Sequence, residues 1–118
     1  APGARVGATS VVGTGSVLLD GVVVTADAVI GRHVVIMPNC TITHDDVLAD
    51  FTTLAAAVSL GGSVRTGEGA YIGMNAAIRQ GVVVGSDATV GMGAVVLRDI
   101  PAAQTWAGIP ARELGEAE

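Results

Sequence analysis

One six-residue register runs from Val6 to Pro101 without a slipped residue, and few architectures can accommodate it. Counted from Val6, fifteen of the sixteen first positions up to Val96 are aliphatic, with Thr66 the exception. The fifth positions, Ser10 to Ile100, are small or aliphatic in fifteen of sixteen cases, with Asp46 the exception. Eight second positions, Gly7 and Gly61 among them, are glycine, which suits a corner where the backbone turns sharply or takes φ > 0. A period of six matches neither a helix nor a long strand, so it describes a short strand and a corner, repeated. Three such units close an 18-residue coil, and coils stacked about 4.8 Å apart pair each strand with its copies above and below.

Composition agrees with a narrow solenoid. Val, Ala and Gly supply nearly half of the 118 residues, while Phe51, Tyr71 and Trp106 are the only aromatics. Large rings do not fit the corners of such a prism, and a sandwich would place its turns irregularly. A hydrophobic content of 50% excludes a disordered tail, and the length is that of one domain. The reading is therefore an all-β parallel β-helix of about five coils over residues 1–101. A C-terminal tail over 102–118 is read as an extended segment with one helical turn, packed by Trp106 on the last coil.

Six arginines, no lysine and eleven acids give a net charge of −5, which disfavours nucleic acid as a partner. No run of 18 apolar residues is present and no signal peptide is recognisable, so no membrane segment is expected. A lone cysteine, Cys40, cannot form an intramolecular disulfide and falls at an inward fifth position, and the default location is the cytoplasm. His33, at a fourth position, is read as a surface residue. A zinc site of three histidines is not available to a chain with two, so no metal is expected.

The hexads, followed by Gly108-Ile109-Pro110-Ala111-Arg112, resemble the hexapeptide-repeat acyltransferases. Ile42-Thr43-His44-Asp45-Asp46-Val47, with Leu60-Gly61-Gly62 beyond it, is similar to the sugar O/N-acyltransferase branch, which includes nucleotide-aminosugar N-acetyltransferases and sialic acid O-acetyltransferase-like proteins. The resemblance implies a left-handed helix, a homotrimer, and acetyl-CoA as acyl donor in the groove between prisms. It also implies a sugar or nucleotide-sugar acceptor. Relatives often carry an N-terminal nucleotide-sugar-binding domain, which the start at Ala1-Pro2-Gly3 would place upstream; no acceptor-gripping loop interrupts the hexads.

Acyl transfer requires a base for the nucleophile and a donor for the oxyanion. His44, at an outward third position, is the candidate general base, and Asp45 beside it can hold the other ring N–H. Gly62 lies 18 residues on, one rung above His44, so its N–H is a candidate oxyanion donor where a thioester can approach closely. Met74 and Met92 share another corner, where the resemblance runs the pantetheine arm; groove packing or trimer contact explains them equally. Arg65, Arg79 and Arg98 are candidates for the CoA phosphates.

Three positions depart from the branch: Met37 stands where an asparagine is usual, Thr53 where a second histidine is, and Asp46 where a small inward residue is. A buried Asp46 either has a raised pKa or joins the His44 network. Two other readings remain: a non-catalytic trimeric scaffold, and an acetyltransferase for a small amino or hydroxy acid such as serine.

Overall fold

Six residues hold a two-residue strand and a corner, and that is what each hexad forms. The computed structural model describes residues 3–115; the outermost residues of both expected segments, 1–2 and 116–118, lie outside the described residues. Among the described residues there are eighteen strands and no helix. The first sixteen, from Arg5–Val6 to Val95–Val96, each join the sixth position of one hexad to the first position of the next. They lie in three parallel sheets with partners 18 residues apart: Val6 pairs with Val24, Val12 with Ile30 and Leu18 with Ile36. The first face contains Thr41–Ile42 and Ser59–Leu60, the second Val47–Leu48 and Arg65–Thr66, the third Thr53–Leu54 and Tyr71–Ile72. The result is a parallel β-helix 44 Å long and 22 Å across.

First-position side chains point inward and stack as ladders. Ile42, Leu54, Ile72 and Val90 are fully buried. Fifth positions fill the corners, where Val22, Ala28, Val34, Cys40, Val58 and Ala70 are likewise sealed from solvent. Val6 and Val12 depart from the ladder expectation, exposed at 43% and 38%, because no lower rung among the described residues covers them. Thr66, the exception among the first positions, is met by the fifth-position Thr52: the two share a hydroxyl–hydroxyl bond of 2.9 Å, and Thr52 donates to the Ala49 carbonyl at 2.8 Å. Both are buried polar groups that would otherwise be costly.

The glycines serve a different purpose from the one expected. Positive φ falls at the fourth positions, as at Asp45 (63°), Phe51 (63°) and Gly69 (75°), and not at the second-position glycines. Those glycines are required by close approach between coils. A Cβ on Gly61 would stand 2.6 Å from the Gln80 nitrogen, and one on Gly73 equally close to that of Met92.

The tail also differs from the sequence reading. The repeat continues past Pro101 but loses two residues, since Ile100 bridges Val84 and Trp106 pairs with Val90, each 16 residues away. Asp99 makes the shortened corner possible, because its Oδ1 accepts the Val83 N–H at 2.8 Å in place of a backbone carbonyl. Thr105–Ala107 then adds a parallel strand to the third face and Arg112–Glu113 folds back on it antiparallel. The expected helical turn is an ordinary turn. Gly108 and Ala111 bond both sides of Val95 through Val95 N–H to Gly108 O (3.0 Å) and Ala111 N–H to Val95 O (2.8 Å), closing the last coil over the first face.

Candidate functional site

His44 stands on the corner between the first and second faces, directly after Thr41–Ile42. Third positions face outward here, and the left-handed turn at Asp45 brings its carboxylate back to the ring. The Asp45 Oδ2 lies 3.1 Å from His44 Nδ1, and both side chains are 58% exposed. So exposed a pair contributes little to stability. Its effect is orientation: the carboxylate assigns the ring proton to Nδ1 and leaves the lone pair on Nε2.

That Nε2 edge lies against Gly62, where a Cβ would collide with His44 Cε1 and Nε2. Gly62 is buried, with the imidazole of the coil below packed against it. Its carbonyl accepts the Gly81 N–H at 2.9 Å, whereas its own N–H makes no hydrogen bond among the described residues. The next coil therefore offers one unengaged backbone donor at the free ring nitrogen. The corner above continues with Ser63, Gln80 and Gly81, and nothing stands within 4 Å of where a Gly81 Cβ would be. Gly62, Ser63 and Gly81 thus leave a strip of corner without large side chains beside Gln80, along the helix axis from His44 toward Arg98.

Asp46 anchors this corner from inside. It is fully buried and bonds Thr43 N–H through Oδ2 and Val64 N–H through Oδ1, both at 2.8 Å. Burial pushes its carboxyl up to about 6, against the pull of the Val64 and Thr43 amides. Of the two alternatives open from sequence, the raised pKa holds; the hydrogen bonds of Asp46 run to backbone amides and not to His44. Cys40 is a core residue, its Sγ 3.0 Å from the Ala55 carbonyl oxygen, and burial pushes its thiol pKa up.

Met74 and Met92 are not brought to His44. They lie on the corner between the third and first faces, exposed at 46% and 72%, with Met37 on the same corner. Thr53 points outward from the third face, paired in register with Val35 and Tyr71. Among the arginines, Arg79 and Arg98 share His44's corner, whereas Arg65 projects from the second face between Val47 and Val83. His33 was read as a plain surface residue, yet its ring stacks on Phe51 with centroids 5.4 Å apart. The signal was available, because residues 33 and 51 differ by one 18-residue coil. Among the described residues no cluster of three potential metal ligands forms and no pocket is enclosed, so the site is an open corner of a single prism.

The family of bacterial transferase hexapeptide (six repeats) matches residues 63–98. Two solved structures share nearly the whole fold. The acetyltransferase domain of PglB from Neisseria gonorrhoeae, also solved with acetyl coenzyme A, is 39% identical over 96% of this chain with a TM-score of 0.94. GDP-perosamine N-acetyltransferase from Caulobacter crescentus, in complex with CoA and GDP-perosamine, is 35% identical over 98% with a TM-score of 0.96. This chain spans 55% of the length of each. Among curated proteins, none matches. In sequence and structure the chain is similar to these acetyltransferases, and it carries the hexapeptide repeat of the matched family over residues 63–98.

Proposed function

We propose that this chain is the catalytic domain of an acyl-CoA-dependent sugar acyltransferase, working as a homotrimer in the cytoplasm. The observation that carries the reading is the His44 corner: a ring held by Asp45 at Nδ1, with Nε2 free beside the unengaged amide of Gly62. Similarity to enzymes crystallised with acetyl-CoA, CoA and GDP-perosamine supports acetyl-CoA as donor and a nucleotide-linked amino sugar as acceptor.

In this mechanism His44 Nε2 takes the proton as the acceptor nitrogen attacks the thioester carbonyl. The imidazole turns off Gly62 on approach of the thioester, and the exposed Gly62 N–H donates to the tetrahedral oxyanion. Collapse breaks the C–S bond, and the imidazolium returns the proton to the departing thiolate of CoA. The pantetheine arm runs up the strip past Gln80 and Gly81, bringing the phosphates to Arg98 and Arg79. An open corner excludes no water, so a neighbouring prism supplies the second wall. Met74 and Met92 then meet the donor only across that subunit boundary.

The test is a calorimetric titration of acetyl-CoA into the purified chain, with oligomeric state measured in the same buffer. Saturation at one site per subunit on a trimer is expected. An intact trimer that binds no acetyl-CoA would overturn the assignment and favour a scaffold.

A further inference from the structure

Asp46 interrupts the hydrogen-bond repeat in two places, and both lie beside the proposed transfer site. Leaving the first face, a second-position amide is tied to the coil above: Gly7 N–H donates to Val24 O (2.8 Å), Thr25 to Ile42 (3.0 Å), Gly61 to Ile78 (2.9 Å) and Arg79 to Val96 (2.9 Å). Thr43, immediately before His44, departs from this. Its N–H donates to Asp46 Oδ2 at 2.8 Å, and its hydroxyl donates to Leu60 O at 3.0 Å in the amide's place. Strand pairing there is reduced to Ser59 with Thr41.

The second interruption is in the coil above. On this edge of the prism an undisturbed corner closes on itself, the fifth-position N–H donating to the second-position carbonyl: Ser10 to Gly7 at 3.1 Å, Val82 to Arg79 at 3.2 Å. In the corner 61–64 the Val64 N–H donates to Asp46 Oδ1 at 2.8 Å instead, and among the described residues no donor reaches the Gly61 carbonyl. Ser10 and Ser16 intrude on the coils above them in the same way but leave no carbonyl unpaired. Ser10 Oγ accepts the Ala28 N–H at 3.0 Å and donates to the Thr25 carbonyl at 2.6 Å. Ser16 Oγ accepts the Val34 N–H at 2.9 Å and donates to the Gly31 carbonyl at 2.7 Å. An ionised carboxylate has acceptors only, so Asp46 takes the amide and gives the carbonyl nothing. With its carboxyl pushed up to about 6, Asp46 is still mainly in that form at neutral pH.

The Gly61 carbonyl and the Gly62 N–H belong to one planar peptide and point in opposite directions, so whatever holds the carbonyl aims the N–H. We infer that Asp46 is a positioning residue of the transfer site, freeing the Gly61 carbonyl from its turn so that the Gly62 N–H is aimed at the thioester oxygen beside His44. This rests on the acyltransferase reading of the His44 corner and names what sets its oxyanion donor. The freed peptide remains ordered, because Gly61 N–H bonds Ile78 O and Gly62 O accepts the Gly81 N–H, each at 2.9 Å. A donor fixed in this way needs no reorganisation when the oxyanion forms. The same carboxylate grips Thr43 and Val64, so one buried group sets both the residue preceding the base and the corner carrying the donor.

The experiment is amide NMR at neutral pH on the parent chain, Asp46→Ser and Asp46→Ala. Each is titrated with acetyl-CoA and separately with CoA, following the Gly62 N–H and the dissociation constant. In the parent, acetyl-CoA is expected to move the Gly62 proton further downfield than CoA does, because only acetyl-CoA brings a carbonyl. Asp46→Ser recreates the Ser10 corner, and in Asp46→Ala the Val64 N–H closes the ordinary turn, so both hold the Gly61 carbonyl again. Both variants should stay folded and bind CoA with the parent's affinity, yet lose the difference between acetyl-CoA and CoA at Gly62. A purely structural role would alter folding or affinity and leave that difference intact. A folded variant that keeps the full difference overturns the inference, as does unfolding of both variants, which would assign Asp46 to stability alone. A parent chain that fails to bind acetyl-CoA, or whose Gly62 responds alike to both ligands, would remove the acyltransferase reading first and this inference with it.

Discussion

The imidazole of His44 occupies the space that a side chain on Gly62, one coil above, would need. Removing that space is a clean test of the site. Gly62→Ala should fold normally, because the collision is with the tip of an exposed, movable ring and Gly62 has no positive φ. The added methyl group takes the space the thioester enters beside the Gly62 N–H, so kcat should fall at least tenfold while Tm changes by no more than a few degrees. Equal kcat in the variant would show that this space is incidental.

His44→Ala removes the base without touching the core. Turnover should drop by about 10²–10⁴, the usual contribution of a general base. Oligomeric state and acetyl-CoA affinity should be retained. Steady-state kinetics alongside a binding titration separates the two effects, and undiminished turnover would dismiss His44 as the base.

Asp46 makes stability depend on pH in an uncommon direction. Its folded pKa, about 6, lies above the ordinary 3.8, so between these values the native state holds a proton the unfolded chain has lost. That contribution is complete below about pH 4 and disappears as pH rises through 6, a change on the order of 2–3 kcal/mol. Denaturant unfolding of Asp46→Asn across pH 4–7 should show this decline abolished. A slope identical to the parent's would place the titration elsewhere.

The Thr52–Thr66 pair predicts an asymmetry between two otherwise similar substitutions. Thr66→Val leaves the Thr52 hydroxyl its bond to the Ala49 carbonyl and restores an aliphatic ladder, so stability should change by less than about 1 kcal/mol. Thr52→Val leaves the buried Thr66 hydroxyl without its partner and should cost about 1–3 kcal/mol. Thermal or denaturant unfolding of both variants decides it; equal losses would mean that the shared bond does not govern either site.

What the sequence determined by itself was everything the period of six enforces. Inward ladders, 18-residue pairing, the outward setting of His44 beside Asp45 and its alignment under Gly62 all follow from counting, because parallel stacking copies each position onto the next coil. Counting fails wherever one residue substitutes for what the repeat supplies on average. Asp99 replaces a backbone carbonyl and lets the last turn lose two residues, and Asp46 replaces an apolar corner residue because two amides await its oxygens. Positive φ at the fourth rather than the second position follows from how the chain rounds each corner, which residue types alone do not reveal. That residues 33 and 51 are neighbours follows from the 18-residue period, but that their rings stack was decided only in three dimensions, since side-chain direction at a corner depends on the coils packed above and below it.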